Sequence, residues 1–220
     1  MPALRKMEPA DLDTVRVWLS TPEVARWYLL GSTIEQELDD LRRSIVGDQA
    51  AEALVIAEQN KPIGWCQWYL CAAYPDHAAG VGAAPGDAGI DYAIGDPESR
   101  NHGVGTAVIA ALVAHIRKLH PHAGIIADPE ATNVASRRVL EKNGFELLDE
   151  RPVASEPTAA PMAIYRLHPE LLPAGGNGAD AQTWLQRARQ ALTLRRRLGE
   201  PAGAPEAPGL PTTSARNFPV

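Results

Sequence analysis

The sequence predicts a mixed α/β domain built on one curved sheet, and three observations lead there. Two apolar segments, 53–57 and 63–70, flank a short polar turn and read as an antiparallel hairpin. From residue 89 onward, strand-like and helix-like segments alternate, an order that calls for parallel pairing across a crossover. The chain's 220 residues, 45% of them hydrophobic, supply one sizeable core with an appendage rather than two full domains.

Taken in order, the first helix is expected after Glu8-Pro9-Ala10-Asp11, where a proline and acids suit a helix start and Val15, Trp18 and Leu19 repeat at helical spacing. A second covers Ile34 to Ile45, capped by Ser32 or Thr33, with Leu38, Leu41 and Ile45 on one side. Trp27 and Tyr28 fall in the connection between them. The hairpin strands follow, then a Gly/Ala/Pro-rich segment from Ala72 to Ala88 that reads as a long loop. Gly89 to Gly95 is the next strand, Val104 to Leu119 a helix rich in Ala, Val, Ile and Leu, and Ala123 to Ala127 a short buried strand. Thr132 to Lys142 forms another helix, stopped at Asn143-Gly144 before a strand at Phe145 to Leu148, and Met162 to Leu167 closes the sheet.

These elements make residues 1–168 one domain. Residues 169–198 are a linker and a docked helix carrying Arg187, Arg189, Arg195, Arg196 and Arg197 without an acid, and 199–220 are expected to be disordered. With 21 Lys and Arg against 27 Asp and Glu, the net charge of -6 excludes a general nucleic-acid binder, which must neutralise phosphates with cations. Cys66 and Cys71, five apart in one apolar run, fit buried reduced thiols rather than a disulfide framework. The acidic turn of the N-terminus and the lack of an apolar run of about 18 residues predict a cytoplasmic protein without membrane association, as a monomer or homodimer.

The strongest local signal is Arg100-Asn101-His102-Gly103-Val104-Gly105-Thr106, which follows a strand and opens an apolar helix. Glycines let a ligand approach the backbone, and the free N–H groups of the turn converge where the helix dipole favours negative charge. That combination is a pyrophosphate cradle. A dinucleotide fold fits less well, because a third glycine is missing and the motif lies mid-chain.

On Arg100, Gly103 and Gly105 the loop resembles the signature of the GNAT superfamily of N-acetyltransferases. The likeness continues through Asn133 and Arg137-Arg138-Val139-Leu140 to Gly144-Phe145, and covers residues 3 to 168 in order. It implies a GNAT-like domain whose splayed strands, Gly89 to Gly95 and Ala123 to Ala127, form a cleft for acetyl-CoA. The cofactor would be held by Ala93, Ile94, the Arg100 to Thr106 loop, Asn133 and Arg137. Within the superfamily the chain is most similar to aminoglycoside 6'-N-acetyltransferases, judged by Trp27, Ile63-Gly64, Gly89-Ile90-Asp91 and Asp128-Pro129. That likeness nominates Trp27, Asp76, Asp91 and Asp128 for the amino-sugar site and antibiotic modification as the role.

The residues add support of their own. Between Lys61 and Arg100 there is no cationic side chain, while Asp76, Asp87, Asp91, Asp96 and Glu98 all fall there, an acidic mouth suited to a small cationic amine. Asp87 and Asp96 read as turn residues. Asp91 interrupts an apolar strand and is expected to deprotonate the amine. Tyr92 and Tyr165 are candidates to protonate the leaving thiolate, since the family commonly places a tyrosine where this chain has Leu140. The histidines lack metal-ligand spacing, so no metal is expected. Other readings are a siderophore-type hydroxylysine or another small amine as acceptor, a protein N-acetyltransferase, or a non-catalytic acetyl-CoA-binding module.

Overall fold

The computed structural model describes residues 2–156, 158 and 160–169. Seven strands form one sheet in the order β1-β2-β3-β4-β5-β7-β6, where β1 is Ala3–Lys6, β2 Ala51–Glu58, β3 Lys61–Leu70, β4 Ala88–Ile94, β5 Ile125–Ala127, β6 Glu146–Arg151 and β7 Met162–Leu167. Six α-helices pack on it: α1 Leu12–Leu19, α2 Pro22–Tyr28, α3 Ile34–Val46, α4 Pro75–Val81, α5 Val104–Leu119 and α6 Val134–Lys142. The expected mixed sheet is present, including the parallel β4–β5 pair made by the crossover through α5.

Local chemistry accounts for the boundaries. The β2–β3 hairpin turns on Gln59 and Asn60, both left-handed at φ 50° and 65°, the twist a two-residue loop needs. Helix α3 starts at a reciprocal cap in which Thr33 accepts from the Gln36 N–H and Gln36 bonds back to Thr33, and it stops at left-handed Gly47. Asn133 caps α6 by accepting from the Ser136 N–H at 3.1 Å.

The sheet carries a core on each face. Leu54, Ile63, Cys66, Ile90, Val108, Leu112 and Ile116 are buried under α5 and α6, and Leu19, Leu38, Leu41, Val55 and Trp65 are buried under α1 to α3. Residues alternate across β4, so Ile90, Tyr92 and Ile94 join the first core while Ala93 packs with the second. Asp91 therefore faces the α1–α3 side, opposite Tyr92.

Several expectations need correction. Trp27 and Tyr28 end helix α2 instead of lying in a connection, because Pro22 at its first position starts a turn that Val24 anchors in the core. The segment 72–88 is not a plain loop: Pro75 opens α4, whose buried His77 and Val81 hold it down. Strand β1 was not anticipated, its four residues being too short and polar to stand out. Strand β7 does not close the sheet but inserts between β5 and β6. Asp87 accepts the Ala84 N–H as a turn residue would, yet it is also buried and paired with Arg166 at 2.8 Å. Cys66 and Cys71 are both free and buried, and burial pushes both thiols upward, Cys71 to about 12. Among the described residues no helix is long and apolar enough to cross a membrane. The expectations for 170–198 and 199–220 lie outside the described residues.

Candidate active site

One large cleft, about 1410 Å³, runs from α2 and α3 across the splay of the sheet to the start of α5 and α6. It exceeds the usual volume of a single small-molecule pocket, roughly 300–1,000 Å³, and so has room for two ligands. The splay itself is a pairing fact. Strands β4 and β5 are in register only at Ala88–Ile125 and Gly89–Ile126, so β4 beyond Gly89 has no β5 partner and its edge faces the cleft.

At one end, the loop after β4 meets the start of α5. Gly103 sits at φ 79° as the N-cap of α5, and a Cβ placed there would meet nothing within 4 Å, so the left-handed turn borders open space. Thr106 and Ala107 N–H groups turn back to the Gly103 carbonyl, leaving the N–H groups of Val104 and Gly105 at the positive end of a 16-residue helix. The glycine at 105 has a packing reason: its Cβ would lie 3.2 Å from Val139 of α6. Arg100 does not hold an anion with its guanidinium. Its Nε donates to the Ile94 carbonyl at 3.0 Å and its Nη2 to that of Gly95 at 2.8 Å, bracing the loop against the end of β4. Arg138 and Lys142 of α6 add positive charge along this end. Glycine at 103, unsatisfied helix-start N–H groups and nearby cations together fit a pyrophosphate.

The opposite end is acidic and aromatic. Trp27, Tyr28, Tyr69 and Tyr74 wall it, with the Tyr69 and Tyr74 rings edge-on at 4.8 Å. Gly89 is what lets Tyr69 lie across β4, since a Cβ there would fall 2.4 Å from the ring. Tyr28 is fixed by accepting the Trp65 Nε1–H at 3.0 Å. Asp91 accepts from Gln67 Nε2 at 2.9 Å, its cross-strand neighbour on β3. Glu37, on the first turn of α3, accepts from Ser32 Oγ at 2.5 Å, and burial raises its carboxyl to about 7 against the opposition of that hydrogen bond, with Asp40 and Asp91 adding to the rise. A third group forms where α4, the β5–α6 turn and the β6–β7 turn meet. His77 lies with Nε2 3.6 Å from Asp128 and Nδ1 3.1 Å from Glu156, and Ser155 Oγ is 3.3 Å from Nδ1. His77, Asp128 and Glu156 are a group of metal-ligand type that sequence spacing did not reveal. The two ring nitrogens face different acids, the arrangement of a bridging imidazole rather than of a chelate.

The predicted residues divide accordingly. Trp27, Asp91, Tyr92, Ala93, Ile94, Arg100, Asn101, Gly103, Gly105, Thr106, Asn133 and Asp128 line the cleft. Asp76, His102, Val104 and Arg137 do not. Asp76 is on the first turn of α4, where its neighbour His77 points inward instead. His102 is exposed outside the cleft. Arg137 turns away to bond Tyr165 Oη, the Ala131 carbonyl and Glu150, and Arg138 takes the cleft side of α6. Tyr165 is fully buried, donating to Glu141, so it cannot reach the cleft without unpacking. Leu140 is likewise core. Tyr92 Oη is 2.7 Å from Ser136 Oγ, and burial raises its phenol to about 12. Sequence reasoning missed Glu37, Gln67, His77, Glu156 and Ser136. Only Gln67 left a trace, as a polar residue at the same strand parity as Trp65 and Tyr69.

An acetyltransferase (GNAT) domain profile matches residues 8–153, most of the described chain. The chain belongs to the GNAT acetyltransferase family. As a GNAT acetyltransferase it draws its acetyl group from acetyl-CoA. This GNAT chain is 26% identical over 147 residues to aminoglycoside N(6')-acetyltransferase type 1 of Klebsiella pneumoniae, spanning 65% of this chain and 73% of the relative. Among solved structures it resembles aminoglycoside acetyltransferase AAC(6')-Ib in complex with coenzyme A and kanamycin, at TM-score 0.63 and 24% identity over 76% of this chain and 95% of the other. An aminoglycoside N(6')-acetyltransferase from Legionella pneumophila matches at TM-score 0.60 and 19% identity, over 77% and 92% of the two chains.

Proposed function

We propose that this GNAT acetyltransferase acetylates a primary amine of a small polycationic acceptor, the 6'-amine of an aminoglycoside. The observation that carries the reading is the polarity of the cleft. One end offers helix-start N–H groups, Arg138 and Lys142 for an anionic donor. The other offers Glu37, Asp91, Asp128 and Glu156 among four aromatic rings. Carboxylates bind ammonium groups by charge-assisted hydrogen bonds, and flat aromatic walls suit the apolar faces of sugar rings. The similarity to aminoglycoside N(6')-acetyltransferases supports the same choice.

Acetyl-CoA supplies the acetyl group as a thioester, which an amine attacks directly. For this the chain binds the donor at the start of α5, presents the unpaired edge of β4, and removes a proton from the ammonium. Backbone N–H groups on that edge near Tyr92 to Ile94 would stabilise charge on the thioester carbonyl oxygen. Asp91 lies on the acceptor face of the same strand and seats the ammonium. Tyr92, on the other face, would protonate the departing thiolate, the role that Leu140 cannot fill.

Thiol release from acetyl-CoA, measured across kanamycin, polyamines, N-hydroxylysine and peptides, tests the proposal. Turnover of kanamycin, acetylated at the 6'-amine and reduced at least tenfold in Asp91→Asn, is the expected result. Preferential turnover of N-hydroxylysine would assign the chain to the siderophore-type reaction. Donor binding without turnover of any amine would make it a binding module.

A further inference from the structure

We propose that Glu37 accepts the proton which the acceptor ammonium must lose before it attacks, while Asp91 holds that ammonium in place. The proposal rests on the acetyltransferase reading above and assigns a specific task within it.

Two carboxyl groups share the acceptor end of the cleft, Glu37 from α3 and Asp91 from β4, close enough for the Asp91 charge to raise the Glu37 carboxyl. Each is aimed by a neutral donor. Ser32 Oγ holds Glu37, and Gln67 Nε2 holds Asp91. Among the described residues Glu37 takes part in no ion pair, whereas Asp40, its neighbour one position past Leu38 and Asp39 on the same helix, is paired with Arg43. The remaining charged or titratable groups facing Glu37 are Tyr28 from α2, Asp40 from α3 and Asp91 from β4; Tyr28 is neutral, its phenol pushed up by burial and then by Asp91 and Glu37.

A half-buried carboxyl without a cation is costly to ionise, and the cost is relieved when an ammonium arrives beside it. Burial puts its titration at about 7, where a carboxylate is basic enough to take a proton and the acid weak enough to give it back to water. An ordinary surface carboxylate would be ionised but a poor base. With one acid to bind the ammonium and a second to move the proton, the work that one carboxylate performs poorly is divided. The proton count closes. The ammonium gives one proton to Glu37, and the freed electron pair forms the N–C bond as the C–S bond breaks. The nitrogen's second surplus proton leaves as the amide forms, matching the one the thiolate takes up. Glu37 then returns its proton to solvent.

The test combines a titration with kinetics. The side-chain carboxyl carbon of Glu37, labelled with carbon-13 and assigned by its loss in Glu37→Gln, is followed by NMR from pH 4 to 9 in the unliganded protein. A midpoint within about one pH unit of 7 is expected, and a midpoint at the ordinary glutamate value near 4.5 overturns the proposal. In parallel, kcat/KM for kanamycin, whose pH dependence reports the ionisation of the free enzyme, is measured by thiol release. Wild type should rise through an ionisation near 7. Glu37→Gln should lose that limb and about a hundredfold in kcat/KM, with unchanged affinity for acetyl-CoA. Asp91→Asn should keep the limb and raise the KM for kanamycin. A Glu37→Gln enzyme within twofold of wild type, with its limb intact, overturns the role of Glu37 and leaves the acetyltransferase reading standing. Absence of turnover with every amine overturns both, whatever the titration shows.

Discussion

Replacing Glu37 with glutamine tests the physical basis of the acceptor site without any substrate. The two side chains match in shape, and an amide oxygen accepts the Ser32 hydroxyl as the carboxylate does, so what changes is the charge. Burial moves the carboxyl from its ordinary 4.5 to about 7. Each tenfold change in proton affinity is worth about 1.4 kcal/mol, so ionised Glu37 costs the folded protein up to about 3 kcal/mol, and closer to 2 with water at the cleft mouth. The sign follows from a folded-state value raised above the unfolded one. Below about pH 4.5 both states are protonated and the cost is absent. It grows as pH rises through the window to about 7 and is complete above it. Glu37→Gln should therefore be the more stable protein at pH 8 by about 2–3 kcal/mol, or roughly 5–10 °C in Tm, and equal to wild type near pH 4.5. Urea unfolding of both proteins at pH 4.5, 6 and 8 measures this directly. Equal stability at pH 8, or a difference that does not change with pH, would refute the claim that desolvation of this carboxylate is built into the site. A group that weakens the fold at neutral pH is the kind of feature an active site retains.

Other substitutions probe the frame. Gly64→Ala would drive a Cβ to 2.2 Å from the Ala93 carbonyl, so β3 and β4 must part; thermal unfolding should show a loss of about 1–3 kcal/mol, with weakened donor binding. Asp87→Ala should cost about 3–5 kcal/mol by stranding Arg166 without its partner, measured by urea unfolding, and leave the cleft's ligand affinities nearly unchanged in the folded fraction. His77→Ala unties Asp128 from Glu156 and leaves two acids facing each other; the KM for kanamycin should rise while acetyl-CoA affinity, measured by calorimetry, stays constant. Gly103→Val strains a left-handed cap and fills space a phosphate would use, so acetyl-CoA affinity should fall at least tenfold, and unchanged affinity would sink the cradle assignment.

The chain's order of periodic segments was enough to place the helices over 104–119 and 34–45 and the strands around the hairpin, because amphipathic repeats and caps are local chemistry. The glycine turn at one end of the cleft was legible for the same reason. Gly103, Gly105 and the helix that follows lie within a few residues, and their arrangement is a matter of backbone geometry. Helix α4 escaped notice because alanine and glycine carry no periodic signal, and the role of Asp87 because its partner Arg166 is 79 residues away. Arg137 and Arg138 are neighbours on one helix, and sequence gave no means to tell which faced the cleft; the pull of Tyr165 and Glu150 on Arg137 decided it.

What the sequence by itself determined was the fold class, the glycine turn that opens α5 and an acidic stretch suited to a cation. Only the tertiary structure decided which acids meet in the cleft. Glu37, Asp91, Asp128 and Glu156 come from α3, β4 and two separate turns, and their properties are set by what surrounds them: a serine hydroxyl, a cross-strand glutamine, a bridging histidine and the exclusion of water. Backbone preference is encoded in neighbouring residues, but the basicity of a carboxyl is encoded in its burial, and burial exists only once distant segments have packed.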